Sequence, residues 1–153
     1  MIFGGIQKCS LIDYPGRIST VLFTQGCNFR CYYCHNPELV YPALFKDEIP
    51  FNNIFDFIIK RKNVVDSIVV SGGEPSIHND IINILSILKN EKFFIKLDTN
   101  GSNPETIYKI LKLKIIDYIA MDIKTSFENY YNVIRVNVDI NLIKESIDLI
   151  LKS

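Results

Sequence analysis

Four short apolar segments recur along the chain, each followed by a polar or glycine-rich stretch and then by a helical pattern. Ile18 to Thr24, Ser67 to Ser71, Phe93 to Asp98 and Asp117 to Asp122 hold β-branched and aromatic residues, which favour strands. Between them apolar side chains return at helical spacing: Phe51, Ile54, Phe55, Ile58 and Ile59, then Ile81, Ile84, Leu85 and Leu88. A third helix has Asn103 as its N-cap and Pro104 at its first position, where a missing N–H costs nothing. Ile140, Ile143, Ile147 and Leu151 mark a C-terminal helix. This alternation predicts the α/β class, with a parallel sheet and right-handed crossovers. We expect one domain over residues 1–153, a partial (βα) barrel of about four βα units with an early strand around Gly5 to Ile12.

The strand ends carry the chemistry. They read GCNFRCYYCHN, SGGEP, DTNG and DIK. In parallel α/β folds the loops at the carboxyl ends of strands converge on the ligand site. The four segments are therefore expected to meet in one place.

Charge narrows the partners. Lys plus Arg and Asp plus Glu both number 17, so no global basic field draws nucleic acid or an anionic membrane. The N-terminus lacks a basic segment followed by an apolar stretch, and no apolar run approaches a membrane span. The expected location is the cytoplasm, where thiols stay reduced. Three of the four cysteines, Cys27, Cys31 and Cys34, crowd into eight residues while Cys9 stands apart. That pattern points to metal chemistry rather than a disulfide framework, with Cys9 read as a small strand hydrophobe.

The spacing Cys27-x3-Cys31-x2-Cys34 is compact enough for three thiolates to wrap one inorganic cube. A [4Fe–4S] cluster ordinarily takes four cysteines, so three leave one iron open, as a catalytic metal site requires. An open iron can chelate the amine and carboxylate of an amino acid. Gly26 would let the backbone enter the loop closely, and loop amides could hydrogen-bond the sulfides. Other readings stay open on spacing alone. Three cysteines with His35 could bind zinc, although Cys34 and His35 are awkward neighbours for one tetrahedron. Cys31-Tyr-Tyr-Cys34-His35 matches the C-x-x-C-H haem-attachment pattern, and a redox dithiol needs no third cysteine. Neither His35 nor His78 is assigned a catalytic role.

The cysteine motif followed by Gly-Gly-Glu-Pro resembles the radical S-adenosylmethionine (SAM) superfamily. Within it, GGIQKCSLIDYPG and FTQGCNFRCYYCHNPELV are similar to the activating proteins of anaerobic ribonucleoside-triphosphate reductases, related to pyruvate formate-lyase activases. The resemblance runs from Gly4 to about Lys124 by motif. It implies a cytoplasmic oxidoreductase in which SAM is cleaved reductively at the cluster. The resulting 5′-deoxyadenosyl radical takes hydrogen from a glycine of a partner glycyl radical enzyme, with an electron donor such as flavodoxin or ferredoxin. It also implies site residues. Tyr33 would pack near the adenine, and Gly72, Gly73 and Glu74 would meet the methionine amine. Asp98, Thr99, Asp122 and Lys124 would bind the ribose and carboxylate of SAM, and some relatives hold a monovalent cation there. Asp13 would approach the partner's glycine loop. The usual barrel of the family has six βα units, so the C-terminal units are expected to be missing here. The competing functions are a non-catalytic iron–sulfur or zinc module and a radical SAM enzyme acting on a small molecule.

Overall fold

The expected strands all form, each within a residue or two of its expected limits. They join one five-stranded sheet in the computed structural model, which describes residues 1–153. In chain order they are β1 (Phe3–Ser10), β2 (Ser19–Thr24), β3 (Ser67–Gly72), β4 (Phe94–Thr99) and β5 (Tyr118–Met121), and the sheet keeps that order across its width. Strands β2 to β5 are mutually parallel. The early strand departs from the all-parallel expectation, since β1 pairs with β2 antiparallel. Loop length explains it. Residues 11–18 are too few for a parallel crossover, which takes a dozen or more residues. At the other side of the sheet β5 is an open edge.

The helices are α1 (Phe51–Lys60), α2 (Ile81–Asn90), α3 (Pro104–Leu113), α4 (Tyr130–Ile134) and α5 (Ile140–Leu151). Asn103 caps α3 as expected, its side-chain oxygen accepting from the Thr106 amide at 3.3 Å. Asp139 caps α5 in the same way, accepting from the Asn141 amide at 2.9 Å. Strand alternation then sorts the sheet into two faces. Leu22, Ile68, Val70, Ile95 and Leu97 point one way and pack with Ile54, Ile58, Ile81, Leu85, Leu88 and Ile110 of the helices. Burial of each such side chain stabilises by about 1.5–3 kcal/mol, so this layer dominates the fold.

The second face is thinner. Tyr14 covers Val21 and Val69 there, with Phe23 beside them. A separate cluster of Phe29, Tyr130, Ile134 and Ile143 packs against Cys27 and Cys31, which fastens the cysteine loop to α4 and α5. Cys9 corrects an expectation. It is exposed on the edge strand β1 rather than packed as a strand hydrophobe.

Candidate functional site

The cysteine loop leaves β2 at Gly26, whose φ of +93° suits glycine. The Gly26 amide donates to the Leu39 carbonyl at 2.8 Å, and its carbonyl accepts from the Glu74 amide at 2.8 Å. Further along, the Arg30 and Tyr32 amides donate to the carbonyls of Ile134 and Val133 at 2.8 and 3.3 Å. The Arg30 guanidinium donates to the carbonyls of Cys27 and Phe29, the latter at 2.7 Å. These bonds shape the loop, but they also use up amides that were expected to be available to sulfides. The Phe29 amide meets the Cys27 sulfur itself at 3.3 Å.

Cys27, Cys31 and Cys34 are half-buried free thiols. Burial pushes the Cys27 thiol up to about 11, against the Phe29 amide that lowers it. Burial also raises Cys31, with Lys124 acting in the opposite direction. A bound metal must therefore displace the protons. No group of three His, Cys, Asp or Glu side chains is drawn together tightly enough for one metal ion. A single zinc needs four donors around one point, whereas the thiolates of a cube each hold their own iron. The donor set fits the cluster better than it fits zinc.

Beside this loop lies the end of β3. Gly72 has φ +111°, and a Cβ there would fall 2.3 Å from the Thr24 nitrogen. A Cβ on Gly73 would fall 2.0 Å from the Gly26 carbonyl oxygen. Both glycines thus let β3 close onto the cysteine loop. Glu74 is 1% exposed and accepts three hydrogen bonds: from the Ser76 amide at 3.0 Å, the Thr99 hydroxyl at 2.7 Å and the Asn100 amide at 2.6 Å. Burial pushes its carboxyl above the usual range, and the bonds from Ser76, Asn100 and Thr99 pull it back. The carboxylate expected to meet an amine is thus largely committed to joining the β3 and β4 loops.

A second tie was not expected from the sequence. The Asn28 side chain donates to the Ser102 hydroxyl at 2.7 Å and accepts from the Asn100 side chain at 2.9 Å. It clips the cysteine loop to the β4 loop. The only sequence signal is an amide residue directly after Cys27. Tyr130 was also missed; its hydroxyl accepts from the Lys124 amide at 3.2 Å.

At the far wall Lys124 Nζ lies 2.8 Å from Asp122 Oδ2. Burial pushes the lysine down, but Asp122, with Cys31 and Tyr33, outweighs it and the net shift is upward, so the ammonium is held charged. Asp98 pairs with Lys96, Nζ to Oδ1, at 2.7 Å. Tyr33 stands edge-on to Tyr32 with ring centroids 5.3 Å apart.

One cavity of about 380 Å³ gathers these groups. Its wall includes Cys27, Cys31, Cys34, Tyr33, Gly72, Gly73, Glu74, Asp98, Thr99, Asp122 and Lys124. Every site residue named from the sequence is there except Asp13, and His35, which was given no role, also lines it. The size falls within the range of about 300–1,000 Å³ typical of small-molecule sites. Asp13 sits elsewhere, in the loop before β2, where the Ser10 hydroxyl donates to its carboxylate and Leu11 and Ile12 are exposed. The four strand-end segments do converge, as expected.

Comparison with known proteins agrees with this geometry. Residues 21–153 match the radical SAM superfamily. A Methanocaldococcus jannaschii protein named for glycyl-radical enzyme activation is 40% identical over 150 residues, covering 95% of this chain and 60% of that protein. The pyruvate formate-lyase-activating enzyme of Clostridium pasteurianum is 33% identical over 134 residues, covering 84% of this chain and 55% of that enzyme. The chain therefore spans little more than half the length of these relatives. Among solved structures, QueE from Escherichia coli shares the fold with a TM-score of 0.62 at 13% identity, over 94% of this chain and 66% of that one. No helix is long and apolar enough to cross a membrane. With its three thiols and three further strand ends around one cavity, and with that match along most of its length, the chain belongs to the radical SAM superfamily.

Proposed function

We propose that this chain holds a [4Fe–4S] cluster and SAM in the cavity and acts as an activator of a glycyl radical enzyme. The observation that carries the reading is the convergence of Cys27, Cys31 and Cys34 with the ends of β3, β4 and β5 on one wall. When bound, the cluster and SAM supply one-electron reductive cleavage of a carbon–sulfur bond and the hydrogen-abstracting power that follows.

The chain's own groups bind, orient and exclude water. Cys27, Cys31 and Cys34 each take one iron and leave the fourth open. The backbone at Gly72 and Gly73 approaches the methionine amine, with Glu74 holding that turn against β4. Lys124 answers the carboxylate, and Asp122 keeps it charged. An ammonium has three donors, so the Asp122 bond leaves donors for a ligand. Asp98 and Thr99 take the ribose hydroxyls, and Tyr33 lies against the adenine. The monovalent cation of some relatives would compete here with lysines, because Asp98 and Asp122 each already have one.

The names of the relatives support a glycyl radical enzyme as partner. We read it as an anaerobic ribonucleoside-triphosphate reductase, with flavodoxin or ferredoxin as the electron source, and Asp13 as a contact for its glycine loop. An Asp13→Ala protein that activates its partner at the normal rate would remove that contact. Anaerobic reconstitution tests the core of the reading. The chain should hold about four irons and release 5′-deoxyadenosine and methionine when reduced with SAM. Zinc in place of iron, or iron with no SAM cleavage, would overturn it.

A further inference from the structure

Lys96 is a charge in an apolar row. On the second face of the sheet, Val21, Val69, Lys96 and Tyr118 stand side by side across β2 to β5. Lys96 is only 9% exposed. A lysine stem so largely covered holds its ammonium close to the sheet, where an anion beside it is favourable. The anion is Asp98, one step up the same face of the same strand, with Oδ1 at 2.7 Å. The Tyr118 ring adds a cation–π contact at 6.0 Å.

The pair is directional. Asp98 Oδ1 is shut off from solvent and lies outside hydrogen-bond geometry with every donor, so the contact with Lys96 is electrostatic and it is that oxygen's sole partner. The Asp98 side chain nevertheless stays 30% exposed and lines the cavity. The other oxygen, Oδ2, is not shut off from solvent in this way and is the one available to whatever the cavity holds. Lys124 cannot replace Lys96, because it is bound to Asp122.

We propose that Lys96 is a positioning residue that serves as the built-in counter-ion of Asp98, fixing Oδ2 toward the ribose diol of an adenosyl ligand and making a free monovalent cation unnecessary there. This assignment rests on the cavity being a SAM site. A tethered ammonium brings its charge without the ordering cost of capturing an ion from solution.

Binding of S-adenosylhomocysteine to the reconstituted protein tests it by calorimetry at equal ionic strength. The wild-type affinity should be the same in potassium, sodium or tetramethylammonium chloride. Lys96→Ala should lose about tenfold in tetramethylammonium, equivalent to about 1.4 kcal/mol. It should regain most of that in potassium or ammonium, ions small enough for the vacated space. Lys96→Met, with a stem of similar length and no charge, should lose affinity without rescue, because the methyl fills the space. The iron-free proteins give a second readout: potassium should raise the melting temperature of Lys96→Ala and leave that of the wild type unchanged. Wild-type binding that requires potassium, or Lys96→Met binding as tightly as wild type, would overturn the Lys96 assignment alone. No wild-type binding in any salt would overturn the SAM-site reading, and this assignment with it.

Discussion

The two faces of the sheet are built from the same strands and serve different ends. Along β4 the alternation is plain: Ile95 and Leu97 are fully buried against the helices, while Lys96 and Asp98 face the other way with one end in the cavity. The helix-backed face joins residues of four strands with α1, α2 and α3 into one continuous core. On the second face the buried clusters are small: Tyr14, Val21 and Val69, and separately Phe29, Tyr130, Ile134 and Ile143 beside the cysteine loop. Stability is thus concentrated on one side. The turns after β3 and β4 are joined by hydrogen bonds to Glu74, and the cysteine loop rests on the small Phe29 cluster, so site residues can change with limited damage to the main core.

Changing a thiol separates the two faces most strongly. Cys31→Ser should cut iron from about four per chain to well below one while circular dichroism and the melting temperature of the iron-free protein stay the same. Collapse of the iron-free fold would show that the two functions are not separate. On the other face Leu97→Ala should cost about 2–5 kcal/mol in urea unfolding and still permit cluster assembly in the absence of urea. Loss of the cluster without loss of stability would reverse the assignment.

Glu74→Gln probes the seam between the regions. It keeps the size but sets an amide donor against donors from Ser76, Thr99 and Asn100, at a cost of about 1–3 kcal/mol. Cluster retention should fall with it, since the β3 turn loosens. The smallest effect concerns pH in the iron-free protein. Cys27 is held neutral by burial, with its thiol raised from 9.0 to about 11. Its contribution to stability is full below pH 9 and is lost as pH rises through about 11, the direction for a group whose folded value is raised. Alkylation of Cys27 at pH 8 should be correspondingly slow, because only the thiolate reacts.

Much of this was legible in the chain, and the gaps have physical causes. The strand and helix periods sort β4 and α2 correctly because each is long enough to repeat its pattern. Asn103 before Pro104 announces a helix start by local hydrogen bonding, which needs no tertiary knowledge. Helix α4, from Tyr130 to Ile134, is too short to show a period, and only packing against Phe29 explains it. The antiparallel course of β1 could have been inferred from the brief loop that follows it. Glu74 lines the cavity as expected, but its bonds to Thr99 and Asn100 are not legible in the sequence, because these partners lie far away along the chain. Lys96 went unremarked among the apolar residues of FFIKLD, although a lysine in a buried strand is itself the signal.

The proposed function requires an open iron that SAM completes inside this cavity. The most direct measurement is the electron paramagnetic resonance spectrum of the reduced, reconstituted protein with and without SAM. The reduced protein should give a [4Fe–4S] signal whose g-values shift when SAM is added. A signal that stays superimposable after SAM addition, or no iron–sulfur signal at all, would contradict it.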